Sequence, residues 1–231
     1  MTPRTDPLID KLLDAALLHV PFDGWSEATF KAAIKDTETN PVIAETACPR
    51  GAVDLAIAFH KRGDDKMVER LKAEDLSALR FSEKVAAAVR FRIEAIDNKE
   101  AVRRGTALFA MPHLAADGAK LIWGTADLIW DTLGDTADDI NWYTKRATLS
   151  GVYASSVLFW LGDDSTNNQA TWAFVDRRID NVMGIEKLKS RIKTNPILSR
   201  LTAPLEWAGS KVRPPLRTPR VDLPNNWSGP Y

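Results

Sequence analysis

Sixteen consecutive residues, Ala147–Gly162, carry no charge, between Lys145-Arg146 on one side and Asp163-Asp164 on the other. A bilayer-spanning helix needs roughly 20 apolar residues. This run is shorter and contains Ser150, Gly151, Ser155 and Ser156. It therefore predicts a helix buried on all sides, and such a helix requires other elements to surround it.

The remaining sequence supplies them as helices. Leu8, Leu12, Ala15, Ala16 and His19 recur at helical spacing until Pro21. Ser26 is an N-cap residue for a second helix reaching about Asp36, and Asn40-Pro41 opens a short third that closes near Cys48-Pro49. A longer helix starts near Ala52, and Ser82-Glu83 opens another that reaches about Asn98. Three apolar-rich helices follow at about Glu100–Met111, Leu114–Thr132 and Trp142–Leu161, then a charged amphipathic one from Asn168 to about Lys193. Alternating strand patterns are scarce, so the fold class is all-α. Composition changes at Pro196: seven of the 13 prolines lie in 196–231. From Lys187 onward there are nine Lys or Arg against two acidic residues. The domain division read from this is 1–50, 51–195 and a Pro-rich basic tail, 196–231.

Charge limits the function classes. The 231 residues have a formal net charge of zero. Residues 1–50 hold five basic and eight acidic side chains, a net of −3. The short third helix offers Val42, Ile43, Ala44, Glu45, Thr46 and Ala47 and no cation, whereas a DNA-reading helix needs Lys or Arg against phosphate. Binding to nucleic acid is not expected. No catalytic constellation is visible either. His19, His60 and His113 are far apart, Cys48 has no Cys-x-x-Cys partner, and neither a P-loop nor a Gly-x-Gly-x-x-Gly cradle occurs. Asp138-Asp139 and Asp163-Asp164 each precede a helix, where capping explains them better than acid–base work. Metal and cofactor are therefore expected to be none, and the chain is read as a non-enzyme. The lone cysteine fits a reducing compartment. Asp6 and Asp10 interrupt the start before any apolar core, which argues against a secretory or transit segment.

Three phrases together carry a resemblance: His19-Val20-Pro21-Phe22-Asp23-Gly24-Trp25-Ser26, then Gly134 to Arg146 with the adjacent aromatics Trp142-Tyr143 and the basic pair Lys145-Arg146, then Asp176-Arg177-Arg178-Ile179-Asp180-Asn181-Val182-Met183. From about Leu8 to Lys193 the chain resembles the coenzyme Q (ubiquinone) biosynthesis accessory proteins, a lipid-binding family. The resemblance implies a TetR-like fold, with three small N-terminal helices (a degenerate helix-turn-helix) followed by a larger helical bundle. It also implies a cavity for an isoprenoid lipid or quinone precursor, for which the candidates are Leu108, Phe109, Met111, Ile122, Trp123, Val152, Leu158 and Phe159. Composition alone fits core and cavity equally, and Gly118, Gly124 and Gly151 would serve either close packing or a lipid tail. By the same resemblance, Asp127, Trp142, Tyr143, Lys145 and Arg146 form a docking patch for the demethoxyubiquinone hydroxylase or an equivalent enzyme. The competing account has the two aromatics capping the bundle and Arg146 pairing with Asp135 or Asp139. Further implied features are contact with a membrane surface through the tail and a homodimer through Asn168–Lys193. Localisation would be cytoplasmic and peripheral to the inner membrane in a bacterium, or on the matrix side in a mitochondrion. The alternative function is a TetR-class ligand-responsive transcriptional regulator.

Overall fold

The structure, a computed structural model, describes residues 6–136 and 140–194. The tail 196–231 and Asp138-Asp139 lie outside the described residues. Among the described residues nine α-helices follow one another: α1 (Pro7–Asp23), α2 (Glu27–Asp36), α3 (Pro41–Ala47), α4 (Ala52–Ala73), α5 (Phe81–Glu94), α6 (Lys99–Phe109), α7 (Ala115–Thr132), α8 (Ile140–Leu161) and α9 (Gln169–Thr194). No strand occurs among the described residues.

Several boundaries follow from capping chemistry. The Ser26 side chain accepts from Thr29 N at 3.3 Å, Asn40 accepts from Val42 N at 2.9 Å ahead of Pro41, and Asn98 accepts from Ala101 N at 2.9 Å. Each satisfies an amide that the first turn leaves unpaired. Two boundaries differ from expectation. α1 continues through Pro21 to Asp23, because a proline this close to the helix end removes a single amide donor, and Gly24 N still donates to Val20 O at 2.9 Å. α5 stops at Glu94, since Asn98 is committed to capping α6, and its start is set by Glu83 accepting from Arg80 N rather than by Ser82.

Two apolar clusters share α4. The first gathers α1–α3, the first half of α4 and residues such as Ala101 and Leu108. The second gathers the C-terminal half of α4 with α5, α7, α8 and α9. α8 is not buried all round, contrary to the expectation from its uncharged length. Leu149, Val152, Tyr153, Ser156 and Trp160 are buried, while Gly151, Leu158 and Phe159 are exposed. The outer face is instead small or apolar, with Phe159 stacked on Phe174 of α9 at 4.5 Å between ring centres.

Two buried arginines join the bundle. Arg146, with no exposed surface, donates to Asp127, to Asp131 at 3.1 Å and to Asp135 at 3.0 Å. Its guanidinium lies 4.1 Å over the Trp142 ring. The acidic residues recur every fourth position from α7 into the segment after it, so the second turn of α8 is pinned along that stripe. Arg92 of α5 forms the second joint. It donates to Asp64 of α4 at 2.6 Å and to His60 O at 2.9 Å, and Thr125 of α7 also donates to Asp64 at 2.8 Å. A Cβ on Gly63 would sit 2.5 Å from Arg92 Nη1, so a side chain there would displace the guanidinium. His60 approaches Thr125 Oγ1 at 2.9 Å, and burial pushes its imidazole down to about 4, against the opposing pull of Asp64.

Two outcomes are expected. Arg146→Met should destabilise by about 3 kcal/mol in urea unfolding, because it strands three carboxylates against one another. A loss below about 1 kcal/mol would contradict the joint. For His60, the folded state binds the proton more weakly than the unfolded chain. Stability should therefore fall as pH drops from about 6.5 toward 4, at up to roughly 1.4 kcal/mol per unit from this group. His60→Gln should flatten that slope, and an unchanged midpoint-versus-pH curve would rule out the burial of a neutral imidazole.

Candidate functional site

Where the two clusters meet, α4, α5, α6, α7 and α8 line a half-open cavity of about 470 Å³. That is within the usual range for small-molecule sites. Its wall is predominantly aliphatic and aromatic. α6 contributes Val102 and Phe109, α7 contributes Leu121 and Ile122, α8 contributes Val157 and Leu158, and Trp25 and Phe59 close the side toward α1. Trp25 is fixed by donating from Nε1 to Ala101 O at 3.0 Å, and its ring tilts against Phe59 with centres 5.7 Å apart. Polar residues also line it: His60, Arg92 and Tyr153, together with Arg62, Lys66, Asp97 and Asn98. Burial pushes the Tyr153 phenol up to about 12, so it is neutral across the physiological range.

Three of the eight expected lipid contacts, Phe109, Ile122 and Leu158, line this cavity. The others are placed elsewhere. Val152 lines a smaller cavity of about 200 Å³ beside Phe81 and Trp130. Leu108 is buried in the N-terminal cluster, Met111 is exposed, and Phe159 stacks on α9. Trp123 packs on Trp142 and Tyr143 with ring centres 6.1 and 6.5 Å away. Gly118 does allow close approach, since a Cβ there would lie 2.8 Å from Phe109 Cβ, but Gly124 and Gly151 have nothing within 4 Å. Sequence reasoning missed the α4 side of the cavity. Phe59 and Gly63, one turn apart, are the only local signal, and an aromatic with a small residue at that spacing is common in any packed helix.

Of the residues expected in the docking patch, Trp142 is only 6% exposed and Arg146 is fully buried. The account in which Arg146 pairs with Asp135 holds, with Asp127 and Asp131 added. Tyr143 and Lys145 are half-buried, and Asn141 is exposed. Lys145 reaches Asp135 at 2.8 Å and lies 5.3 Å over the Trp130 ring, while Trp130 Nε1 donates to Lys145 O at 3.2 Å.

Elsewhere the polar groups have structural duties. Asp163 accepts from Ser165 N at 2.8 Å and from both the hydroxyl and amide of Thr171, which holds its carboxyl far below the usual range and fixes the start of α9. Cys48 is buried, its thiol pushed up to about 11 by desolvation, so it is a poor nucleophile. No cluster of three or more His, Cys, Asp or Glu side chains suited to a metal occurs among the described residues. Within the same residues, no helix is long and apolar enough to cross a membrane. On α3, Val42 and Ile43 are exposed where a DNA reader would carry cations. Arg50 is engaged by Asp54 and Asp117, both at 2.9 Å.

Comparison with known proteins agrees with this architecture. A solved structure described as a TetR transcriptional regulator from Nitrosomonas europaea ATCC 19718 superposes with a TM-score of 0.62, covering 76% of this chain and 97% of that one. At 17% identity it shows the fold, which is all-α and TetR-like, and nothing of function. The probable ubiquinone biosynthesis protein coq9, mitochondrial, of Dictyostelium discoideum is 33% identical over 193 residues, covering 79% of this chain and 62% of its own length. The ubiquinone biosynthesis protein COQ9, mitochondrial, of Xenopus tropicalis is 30% identical over 189 residues, covering 77% and 58%. The chain thus spans about three-fifths of the length of these curated relatives. The COQ9 family model matches residues 115–186, which take in α7, α8 and most of α9. The resemblance carried by the three sequence phrases is therefore upheld: this chain is COQ9-like, with the family's own segment running from Ala115 to Glu186.

Proposed function

We propose that this chain is a non-enzymatic accessory protein of ubiquinone biosynthesis that shelters an isoprenoid quinone precursor in its central cavity and presents it to a membrane hydroxylase. One observation carries the reading: a cavity of about 470 Å³, walled by apolar side chains, lies inside a COQ9-like bundle. Removing apolar ligand surface from water supplies the affinity, at roughly 25 cal/mol per Å² buried. The wall offers no paired nucleophile and base, so its contribution is to hold and orient.

Docking is assigned to the outer edge of the α7–α8 joint, at Asp127, Tyr143 and Lys145. Trp142 and Arg146 support that surface from beneath. Attachment to a membrane surface through the basic tail, and a homodimer through α9, belong to the same proposal, as does a peripheral location on the inner membrane or its matrix side. The relatives are named mitochondrial. The TetR-like shape does not favour a transcriptional role, because the N-terminal helices are acidic and α3 carries no cation.

Purified protein extracted with organic solvent should yield an isoprenoid lipid by mass spectrometry. Repeated recovery of neither isoprenoid nor acyl lipid would overturn the cavity reading. Ala154→Phe, which projects a ring into the cavity, should lower the retained lipid by about tenfold, the equivalent of roughly 1–3 kcal/mol of overpacking. For the partner surface, Tyr143→Ala with Lys145→Gln should abolish capture of the hydroxylase on quinone-containing vesicles, while the lost Asp135 ion pair and the lost ring contacts with Trp123 and Trp142 should lower the unfolding free energy by about 1–3 kcal/mol and leave the variant folded. Undiminished capture would remove the patch from the proposal.

A further inference from the structure

The two aromatics of the phrase His19–Ser26 are placed in opposite ways. Trp25 is 6% exposed and bonded to Ala101 O, whereas Phe22 is 81% exposed. Leu18, one turn earlier on the same face of α1, is 70% exposed. Neither Leu18 nor Phe22 belongs to the two apolar clusters of the described residues. Single exposed apolar side chains are common, but these two adjoin the opening of the cavity. Leu17, beside Leu18, lines the cavity, and Pro21 O, beside Phe22, accepts from Arg104 at 3.0 Å, next to the lining residue Gly105. The rim lies where lining residues are themselves exposed, at Thr106 and Ala110 of α6 and at Leu158 of α8. Met111, 38% exposed, follows Ala110.

We propose that the C-terminal end of α1 is a bilayer-insertion face, in which Leu18 and Phe22 enter the boundary between headgroups and acyl chains and seat the cavity mouth on the membrane. This rests on the cavity's holding a lipid and adds the side from which that lipid enters, a contact separate from the basic tail. Two observations favour a bilayer over a protein partner. The first is continuity: the apolar wall runs out to exposed Leu158 at the rim, beside α6, which Arg104 ties to the end of α1. An apolar chain crossing from bilayer to cavity through water would expose its surface at roughly 25 cal/mol per Å², and a mouth resting on the acyl boundary removes that barrier. The second is charge. Arg62 is paired with Asp10 and Asp14, Lys66 with Asp97 and Arg104 with Glu100, so these cations near the mouth are balanced within the chain. Binding here therefore comes from apolar burial and is nearly independent of salt and of anionic headgroups. Among the described residues no helix can cross a membrane, so the contact is with one surface.

The test attaches a polarity-sensitive nitrobenzoxadiazole dye to the full chain at Asp23→Cys, beside Phe22, or at Ser77→Cys, an exposed position between α4 and α5. Cys48 is 1% exposed, so the dye goes to the introduced thiol. Vesicles of phosphatidylcholine alone in about 1 M salt, where the screening length is about 3 Å, suppress attraction by the basic tail. The dye at position 23 should shift to the blue and brighten on these vesicles, and the dye at position 77 should not. Leu18→Ser with Phe22→Ser, both on the surface, should leave the unfolding midpoint unchanged and lower vesicle partitioning at least about tenfold, as expected for partial burial of two large apolar side chains. Vesicle binding with a silent dye at position 23 overturns the insertion face and leaves the lipid cavity standing. Equal responses at positions 23 and 77 overturn it in favour of unoriented adsorption. A response without vesicles that grows with protein concentration overturns it in favour of contact between two copies of the chain. Partitioning of the double variant equal to that of the parent overturns it as well. A response at position 23 alone, from protein whose solvent extract holds no lipid, upholds the face and overturns only the cavity reading.

Discussion

A guanidinium buried among apolar helices is the constraint on which this structure turns. Arg92 crosses from α5 to α4 with almost no exposed surface, and Asp64 compensates its charge within the protein interior. Desolvating the two ions costs several kcal/mol each, and a well-packed apolar pair would often be at least as stable. What the ion pair adds is position. Its hydrogen bonds have fixed directions, and Thr125 of α7 joins the same carboxylate, so three helices meet at one place and angle. The cavity lies beside that meeting point. An apolar contact there could slide and let the helices close on the empty space, whereas directional bonds resist it.

The sequence was legible where local chemistry is decisive. Ser26, Asn40-Pro41 and Asn98 each declare a helix start, and the scarcity of alternation excludes a sheet. Legibility failed where the outcome depends on what lies opposite. The uncharged run of α8 reads as uniformly buried, yet Leu158 is 59% exposed and Gly151 faces outward, because hydropathy cannot show how many neighbours a helix receives. The aromatic and basic phrase at the start of α8 looked like surface. Its partners, Asp127 and Asp131, lie on α7 and their spacing was visible, but only folding reveals that all three acids converge on Arg146. The α4 side of the cavity was hidden for a similar reason. Gly63 is one glycine among twelve until Arg92 is seen against it.

The likeness to a TetR regulator concerns shape alone. The backbone superposes on that of the regulator with a TM-score of 0.62, while α3 of this chain carries no Lys or Arg. A fold supplies a frame, while function resides in the side chains mounted on it.

The Arg146 joint has an effect reaching beyond its own energy. Because the start of α8 is tethered to the acidic stripe that runs from α7 to Asp135 and is braced by Trp142, the backbone carrying Tyr143 and Lys145 is held in place by the bundle itself. Association at that edge would then forfeit little conformational freedom. A modest contact area could suffice for a transient encounter, quick to form and quick to part.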